Sequence, residues 1–170
     1  MTPTSYQGPL EGDDKDHRTH SQSENTNLGV GQPGITVGAI LADKGNDIFT
    51  VAPSTTVKDV VAELNRMRVG ALLVVNPAKE PIGIVSERDV VRHADTVGLD
   101  VFAQPVETIM TANPQCCVPT DKVESVMLRM TESRFRHMPV LNDGKLCGLI
   151  SIGDVVHHRM REIEYENLNL

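Results

Sequence analysis

An internal repeat is the feature that most constrains how this chain can fold. Residues 48–76 align with residues 114–142 at an offset of 66. After a single gap, the motif GIVSERD at residues 83–89 aligns with GLISIGD at residues 148–154, at an offset of 65. A unit of roughly 50 residues buries too little surface to be stable alone. We therefore expect the two copies to fold alike and to pack against each other.

Each copy has the residue pattern of a β-α-β-β-α unit. A short strand, at residues 48–51 or 115–118, precedes an amphipathic helix at residues 56–68 or 122–133. Thr56-x-x-Asp59 and Asp121-x-x-Glu124 at the starts of these helices each fit a capping box. A buried strand (ALLVV or MPVL), a turn and a second strand (IGIV or CGLI) lead into a last helix. The predicted fold class is a mixed α/β (α+β) protein in which the two units form a pseudo-twofold pair.

Changes in composition divide the chain into three parts. Residues 1–34 are rich in Ser, Thr, Gly, Asp and Asn, so we expect a tail that cannot offset the entropy of ordering. The first unit is placed at residues 35–100 and the second at residues 101–170. His17 and His20 in the tail could be metal ligands only if a fold held them together.

Composition argues against several classes of function. The net charge of −7 and the aromatic content of 3% disfavour a nucleic-acid partner, which needs basic charge and stacking surfaces. No apolar run approaches the roughly 20 residues of a membrane-spanning helix. No nucleophile elbow, phosphate-binding loop or zinc-protease motif occurs, so we predict no enzymatic activity.

The three cysteines are a poor disulfide framework, because their number is odd and two of them are adjacent. This usage favours a reducing cytoplasm. We expect Cys116, Cys117 and Cys147 to be small buried side chains. The alternatives are redox sensing and a zinc site with His157 and His158, but the sequence contains no CxxC pair.

The pattern Ser-x-x-Asp occurs at the start of the last helix in both units, at Ser86/Asp89 and Ser151/Asp154. It has two interpretations. Ser at the N-cap and Asp three residues later form an ordinary capping arrangement. The same helix start offers N–H groups to a phosphate, and the carboxylate can accept hydrogen bonds from a ribose diol.

A second feature favours the ligand interpretation. Arg136 and His137 stand directly before the buried strand of the second unit, where the first unit has Gly70 and Ala71. They form either a solvated corner or a phosphate clamp, since Arg offers a bidentate fork and His a further donor.

These motifs resemble those of a known family. GIVSERDVVR and RHMPVL…GLISIGDVV are similar to the signatures of tandem cystathionine-β-synthase (CBS) domains, known as a Bateman module. The resemblance covers roughly residues 37–160, and the chain is similar to small stand-alone bacterial CBS-pair proteins. It implies two domains packed through their strands, with two clefts that bind AMP, ADP, ATP, NAD or S-adenosylmethionine. It also implies a homodimer, a flat disc of four domains, for which Val90, Val91, Val155 and Val156 are candidate contacts.

The resemblance assigns residues to both clefts. In the first, Asp89 would hold the ribose and four polar or basic side chains the phosphates, while apolar residues surround the adenine. The first cleft comprises Ile84, Ser86, Arg88, Asp89, Pro114, Gln115, Phe135, Arg136, His137 and Pro139. The second comprises Ile48, Phe49, Val69, Gly70, Ala71, Leu149, Ser151 and Asp154.

The second cleft lacks the basic residues of the first, since Gly153 replaces Arg88 and Gly70 replaces Arg136. It would hold only the nucleoside part of a ligand, or remain empty. The function implied is a non-catalytic regulatory sensor that binds an adenine nucleotide and acts on an unknown protein. The alternatives are a structural or dimerisation module with vestigial clefts, and a nucleotide-modifying enzyme.

Overall fold

The computed structural model describes residues 34–45 and 47–170. Apart from Gly34, the predicted tail with its two histidines lies outside the described residues. Five helices are present: α1 (Val37–Lys44), α2 (Val57–Met67), α3 (Glu87–Val97), α4 (Val123–Ser133) and α5 (Ile152–Leu168). Six strands are present: β1 (Thr50–Val51), β2 (Ala71–Val75), β3 (Pro81–Ser86), β4 (Thr111–Ala112), β5 (His137–Asn142) and β6 (Lys145–Ser151). Two 3-10 helices of the described residues, Gly98–Ala103 and Val106–Thr108, connect the units.

The predicted fold class is confirmed, and most predicted elements lie within a few residues of their expected positions. The helix predicted at residues 56–68 is α2, and its N-cap Thr56 accepts a hydrogen bond from the Asp59 N–H at 3.2 Å. The strand predicted at residues 115–118 is wrong, because only Cys117 pairs there, in a single bridge to Val140. The short strand β4 was not predicted.

The capping box predicted at Asp121 is also wrong. The N-cap of α4 is Lys122, which makes no side-chain cap hydrogen bond. The Asp121 carboxylate instead accepts from the Val118 N–H at 3.0 Å and so stabilises the preceding turn.

Strand register brings each buried strand to the helix that follows it. The first sheet has the order β1-β2-β3-β4, and the second consists of β5 and β6. Ala71 pairs with Ser86 in the first, and His137 pairs with Ser151 in the second. The first residue of each buried strand therefore lies beside a Ser-x-x-Asp helix start.

Alternation along the strands produces three apolar clusters. One face of each sheet packs on the helices of its own unit, while the other faces the second sheet. The cluster between the sheets contains Ala71, Leu73, Val75 and Ile84, with Ile48, Leu146 and Leu149 packed against it. The predicted packing of the two units through their strands is therefore confirmed.

The core of each unit includes side chains from the segment that lies just before the other unit in sequence. Val37, Ile40 and Leu41 of α1 pack in the core of the second unit, although α1 lies before the first. A Cβ on Gly148 would stand 2.6 Å from Leu41 Cδ2, and a Cβ on the equivalent Gly83 would collide with Met110. At both positions glycine makes room for an apolar side chain that lies directly on the strand, so a larger residue would have to displace that side chain.

Because α1 packs in the second core, the two cores do not coincide with the predicted domains at residues 35–100 and 101–170. Those domain bounds stay a prediction.

The residues predicted as dimer contacts differ in their exposure. Val90 and Val155 are buried in the cores, whereas Val91 and Val156 are exposed. No helix in the described part of the chain is long and apolar enough to cross a membrane.

Candidate functional site

Both Ser-x-x-Asp motifs form complete capping boxes. The Ser86 N–H donates to Asp89 Oδ2 at 2.8 Å, and the Asp89 N–H donates to Ser86 Oγ at 3.4 Å. The matching distances at Ser151 and Asp154 are 2.8 and 3.1 Å. The capping interpretation is thus correct for both copies. It does not exclude a ligand, because these hydrogen bonds involve only Oδ2 of each carboxylate.

The first cleft contains a carboxylate that is almost completely buried. Asp89 is 8% exposed, and its Oδ2 also accepts from the Ser86 hydroxyl at 2.9 Å. No cation pairs with Asp89 among the residues that the structure describes. A buried carboxylate with one uncommitted oxygen can accept hydrogen bonds from a diol.

An open cavity of about 430 Å³ lies where the two units meet on this side. Three of the residues predicted for the first cleft line it: Arg88 of the first unit, and Phe135 and Arg136 of the second. Arg134, which was not predicted, lines it as well. The remaining lining residues are Met130, Thr131 and Ile152. A larger cavity, of about 510 Å³, lies at the far ends of β1 and β2 and contains none of the predicted residues.

His137 lies between the two clefts rather than in the first alone. A Cβ on Gly70 would stand 3.9 Å from His137 Nε2, which places the ring against the start of the other buried strand. Burial lowers the pKa of His137, and Lys44 and Arg136 add to this effect, while Asp154 and Asp89 oppose it. The ring is therefore neutral near pH 7 and offers one N–H donor.

The second cleft holds a cation that sequence reasoning missed. Lys44, the last residue of α1, donates from Nζ to Asp154 Oδ2 at 2.7 Å and to the Leu149 carbonyl at 3.0 Å. Burial acts to raise the pKa of Asp154, but hydrogen bonds from Lys44 and Ser151 outweigh it and hold that pKa below its ordinary value. The cleft predicted to lack positive charge therefore contains an internal ion pair.

The other predicted residues take several positions. Ile84, Leu149, Ala71 and Ile48 belong to the cluster between the sheets, and Pro139 is buried in β5 opposite Leu149. Phe49 and Val69 pack against the core of the first unit. The Gln115 side chain accepts from Arg129 at 3.4 Å, and the Pro114 carbonyl accepts from the Cys116 thiol. In the part of the chain that the structure describes, no contact brings Phe49, Val69, Pro114 or Gln115 to either cleft.

The cysteines do not form a reactive centre. All three are free, and burial raises the pKa of Cys116 to about 11 and the pKa of Cys117 and Cys147 as well. The thiolate forms are thus suppressed at neutral pH. No group of three His, Cys, Asp or Glu side chains suited to a metal ion occurs in the described residues.

Two stretches of this chain, residues 37–95 and 106–161, match the family model of the CBS domain. The chain is 39% identical over 121 residues to a mitochondrial CBS domain-containing protein, CBSX3, of Arabidopsis thaliana. The match covers 67% of this chain and 58% of that protein, so the chain matches little more than half of its relative.

Solved structures of similar proteins share the fold. A CBS-domain protein of Agrobacterium tumefaciens has a TM-score of 0.73 at 35% identity, covering 78% of this chain and 99% of the other. A CBS domain protein of Pyrobaculum aerophilum, solved in complex with AMP, has a TM-score of 0.66 at 30% identity. That match covers 78% of this chain and 99% of the other.

Proposed function

This chain belongs to the CBS domain family and carries two copies of the domain, and on that premise we propose that it is a non-catalytic sensor of an adenine nucleotide. The observation that carries the proposal is the cavity between the units. Arg88 of the first unit and Phe135 of the second line it, while Asp89, which follows Arg88 on α3, is buried and does not line it. The cavity supplies a phosphate-binding cation and an aromatic surface, and the adjacent Asp89 carboxylate is the ribose acceptor that we propose.

The division of labour follows from the chemistry of each group. Asp89 accepts hydrogen bonds from the ribose hydroxyls, and Arg88 and Arg136 hold the phosphate in bidentate contacts. Phe135 and Ile84 supply apolar surface for the base. His137 donates a hydrogen bond without adding charge, because its pKa is lowered. The AMP complex of the Pyrobaculum relative supports an adenosyl ligand of this class.

Regulation requires that the occupied and empty states differ in a way that a partner detects. We propose that a homodimer transmits this difference through α5. Val156, Met160 and Ile163 are exposed and recur at i, i+4 and i+7, which places them on one face of that helix. A monomer by light scattering at tens of micromolar would contradict the dimer.

We also propose a cytoplasmic location for the protein, with which its free cysteines agree.

Calorimetric titration with AMP and adenosine tests the nucleotide proposal. Replacing Arg136 by Ala should weaken AMP at least tenfold, since a charge-assisted hydrogen bond contributes about 1.5–3 kcal/mol and about 1.4 kcal/mol is one decade. Adenosine should be nearly unaffected. Lys145→Ala is the matched control, because it removes one exposed positive charge from the same unit. Equal losses of AMP and adenosine in Arg136→Ala would contradict the phosphate role.

Two simpler measurements address the alternatives. A vestigial, purely structural pair would show no change in melting temperature with AMP, ADP, ATP or NAD, whereas a ligand at about 100 times its Kd adds about 2.7 kcal/mol. An enzyme would convert the nucleotide. We expect mass spectrometry to recover it unchanged after prolonged incubation.

A further inference from the structure

Three arginines line the cavity of the first cleft. Arg88 approaches from the first turn of α3, and Arg134 and Arg136 approach from the segment between α4 and β5. The volume of about 430 Å³ lies within the range of about 300–1,000 Å³ typical of small-molecule sites. The cavity is therefore large enough for more than a single phosphate.

None of the three has an anionic partner within the described part of the chain. Four other arginines, Arg66, Arg129, Arg159 and Arg161, each lie within 4.0 Å of a carboxylate oxygen. Asp89, although adjacent to Arg88, directs Oδ2 to its own capping box. Three like charges around one cavity repel one another in a chain whose net charge is −7. Such a cluster is stabilised when an anion enters.

The hydrogen-bond donors of the three arginines exceed what a monophosphate accepts. Three guanidinium charges less the one charge of the neighbouring Asp89 carboxylate leave two positive charges, which a phosphate monoester of about −1.5 to −2 balances. Each guanidinium can form a bidentate pair with phosphate oxygens, whereas a monophosphate has only three such oxygens. A second phosphate supplies the additional acceptors.

The backbone of Arg134 is fixed by its place at the end of α4. It caps α4 in the left-handed region (φ 57°), and its N–H donates to the Met130 carbonyl. Its side chain lines the cavity one residue before Phe135, whereas Arg136 lies one residue after. Arg68 has the same backbone conformation (φ 54°) at the matching end of α2, yet it does not line this cavity.

We infer that Arg134 makes the first cleft selective for adenine ligands with two or more phosphates over AMP. This inference rests on the proposed nucleotide function and adds the length of the phosphate chain. Arg88 and Arg136 hold the phosphate nearest the ribose, and Arg134 contacts the next one.

The test is calorimetric titration of the full chain with AMP, ADP, ATP and NAD without Mg²⁺, which would neutralise the phosphates. The wild type should bind ADP or NAD at least tenfold more tightly than AMP, the effect of one charge-assisted contact of about 1.5 kcal/mol. Arg134→Gln should reduce this ratio below about threefold while the affinity for AMP changes little. Arg68→Gln, which alters the same backbone position in the other unit, should retain the wild-type ratio.

The outcomes are separable. If a loss in Arg134→Gln is confined to ADP and ATP, the ligand has a terminal polyphosphate; if NAD loses affinity too, a dinucleotide pyrophosphate also reaches Arg134. Both results support the inference. Equal binding of AMP and ADP by the wild type, or an unchanged ratio in Arg134→Gln, overturns it and leaves the nucleotide proposal standing. If none of the four ligands binds, the proposed function fails, and the inference fails with it.

Discussion

The two clefts start from the same local structure and differ in what surrounds it. Each has a Ser-x-x-Asp capping box, but Asp89 is buried with no cation beside it among residues 34–45 and 47–170, whereas Asp154 is paired with Lys44 at 2.7 Å. The cavity beside the first helix start gathers three arginines, while Gly153 occupies the matching position in the second. Duplication has thus preserved the hydrogen-bonding geometry and changed the electrostatics. The first cleft has three arginines without a carboxylate within 4.0 Å in the described residues, whereas the carboxylate of the second is paired with Lys44.

The largest expected effect separates the two carboxylates. Asp89→Ala should weaken both AMP and adenosine about a hundredfold, since two charge-assisted hydrogen bonds of about 1.5 kcal/mol each are lost to the ribose. Asp154→Ala is the matched control, because it removes an equivalent cap worth about 1 kcal/mol of stability. Calorimetric titration should show that the tight site is weakened in Asp89→Ala and intact in Asp154→Ala. The reverse pattern would mean that the clefts are assigned the wrong way round.

The next effect compares the glycines on which the crossing segments pack. Gly148→Ala should destabilise the fold by about 1–3 kcal/mol, because the new methyl group meets the branched, buried Leu41. Gly83→Ala should cost less, since Met110 is unbranched and can change rotamer. Chemical denaturation measures both changes. A larger loss for Gly83→Ala would show that the Met110 side chain cannot be displaced.

A smaller effect concerns the cation of the second cleft. Lys44 and Asp154 are partly exposed, so their ion pair contributes at most about 1 kcal/mol. Lys44→Met should strengthen adenosine binding at the second cleft by no more than about fivefold, because the ligand no longer competes with the ammonium group. Lys79→Met, at an exposed turn, should change nothing. Weaker adenosine binding in Lys44→Met would identify Lys44 as a ligand contact instead.

The smallest effect is a dependence on pH that belongs to His137. Its pKa is lowered in the folded state, so the unfolded chain takes up a proton more readily. Stability should therefore fall as pH falls from about 6.5, the ordinary value for His, towards the lowered value. His137→Gln should lessen this slope in urea titrations at several pH values. An unchanged slope would assign the effect to other groups.

The sequence predicted correctly those elements that depend on residues close together in the chain. It failed for elements that depend on a pairing partner far away in the chain. Helix α2 and both Ser-x-x-Asp starts were predicted correctly because periodicity and capping act within a few residues. The strand at residues 115–118 failed, since pairing depends on which chain lies alongside. Asp121 was assigned to the wrong role because the Val118 N–H, three residues earlier, competes for the same carboxylate.

The site shows the same limit. Arg88, Phe135 and Arg136 were identified from motifs and line one cavity, and Arg134 could have been found in the same stretch, SRFR. Lys44 could not, because 110 residues separate it from Asp154. Nothing in the local sequence indicates that α1 packs on the second unit.

Because α1 packs in the core of the second unit, the repeated segment of sequence is not the same as the segment that packs as one core. Cutting the chain between its repeats would not release two small proteins. The first fragment would retain α1 with its apolar side chains uncovered, and the second would lack Leu41 over Gly148. The core of the second unit is therefore built from two separate stretches of the chain, with α1 supplying the part that precedes the first unit. Only five residues, 45–49, separate α1 from β1, so the segment that completes the second core is followed almost at once by the edge strand of the opposite sheet.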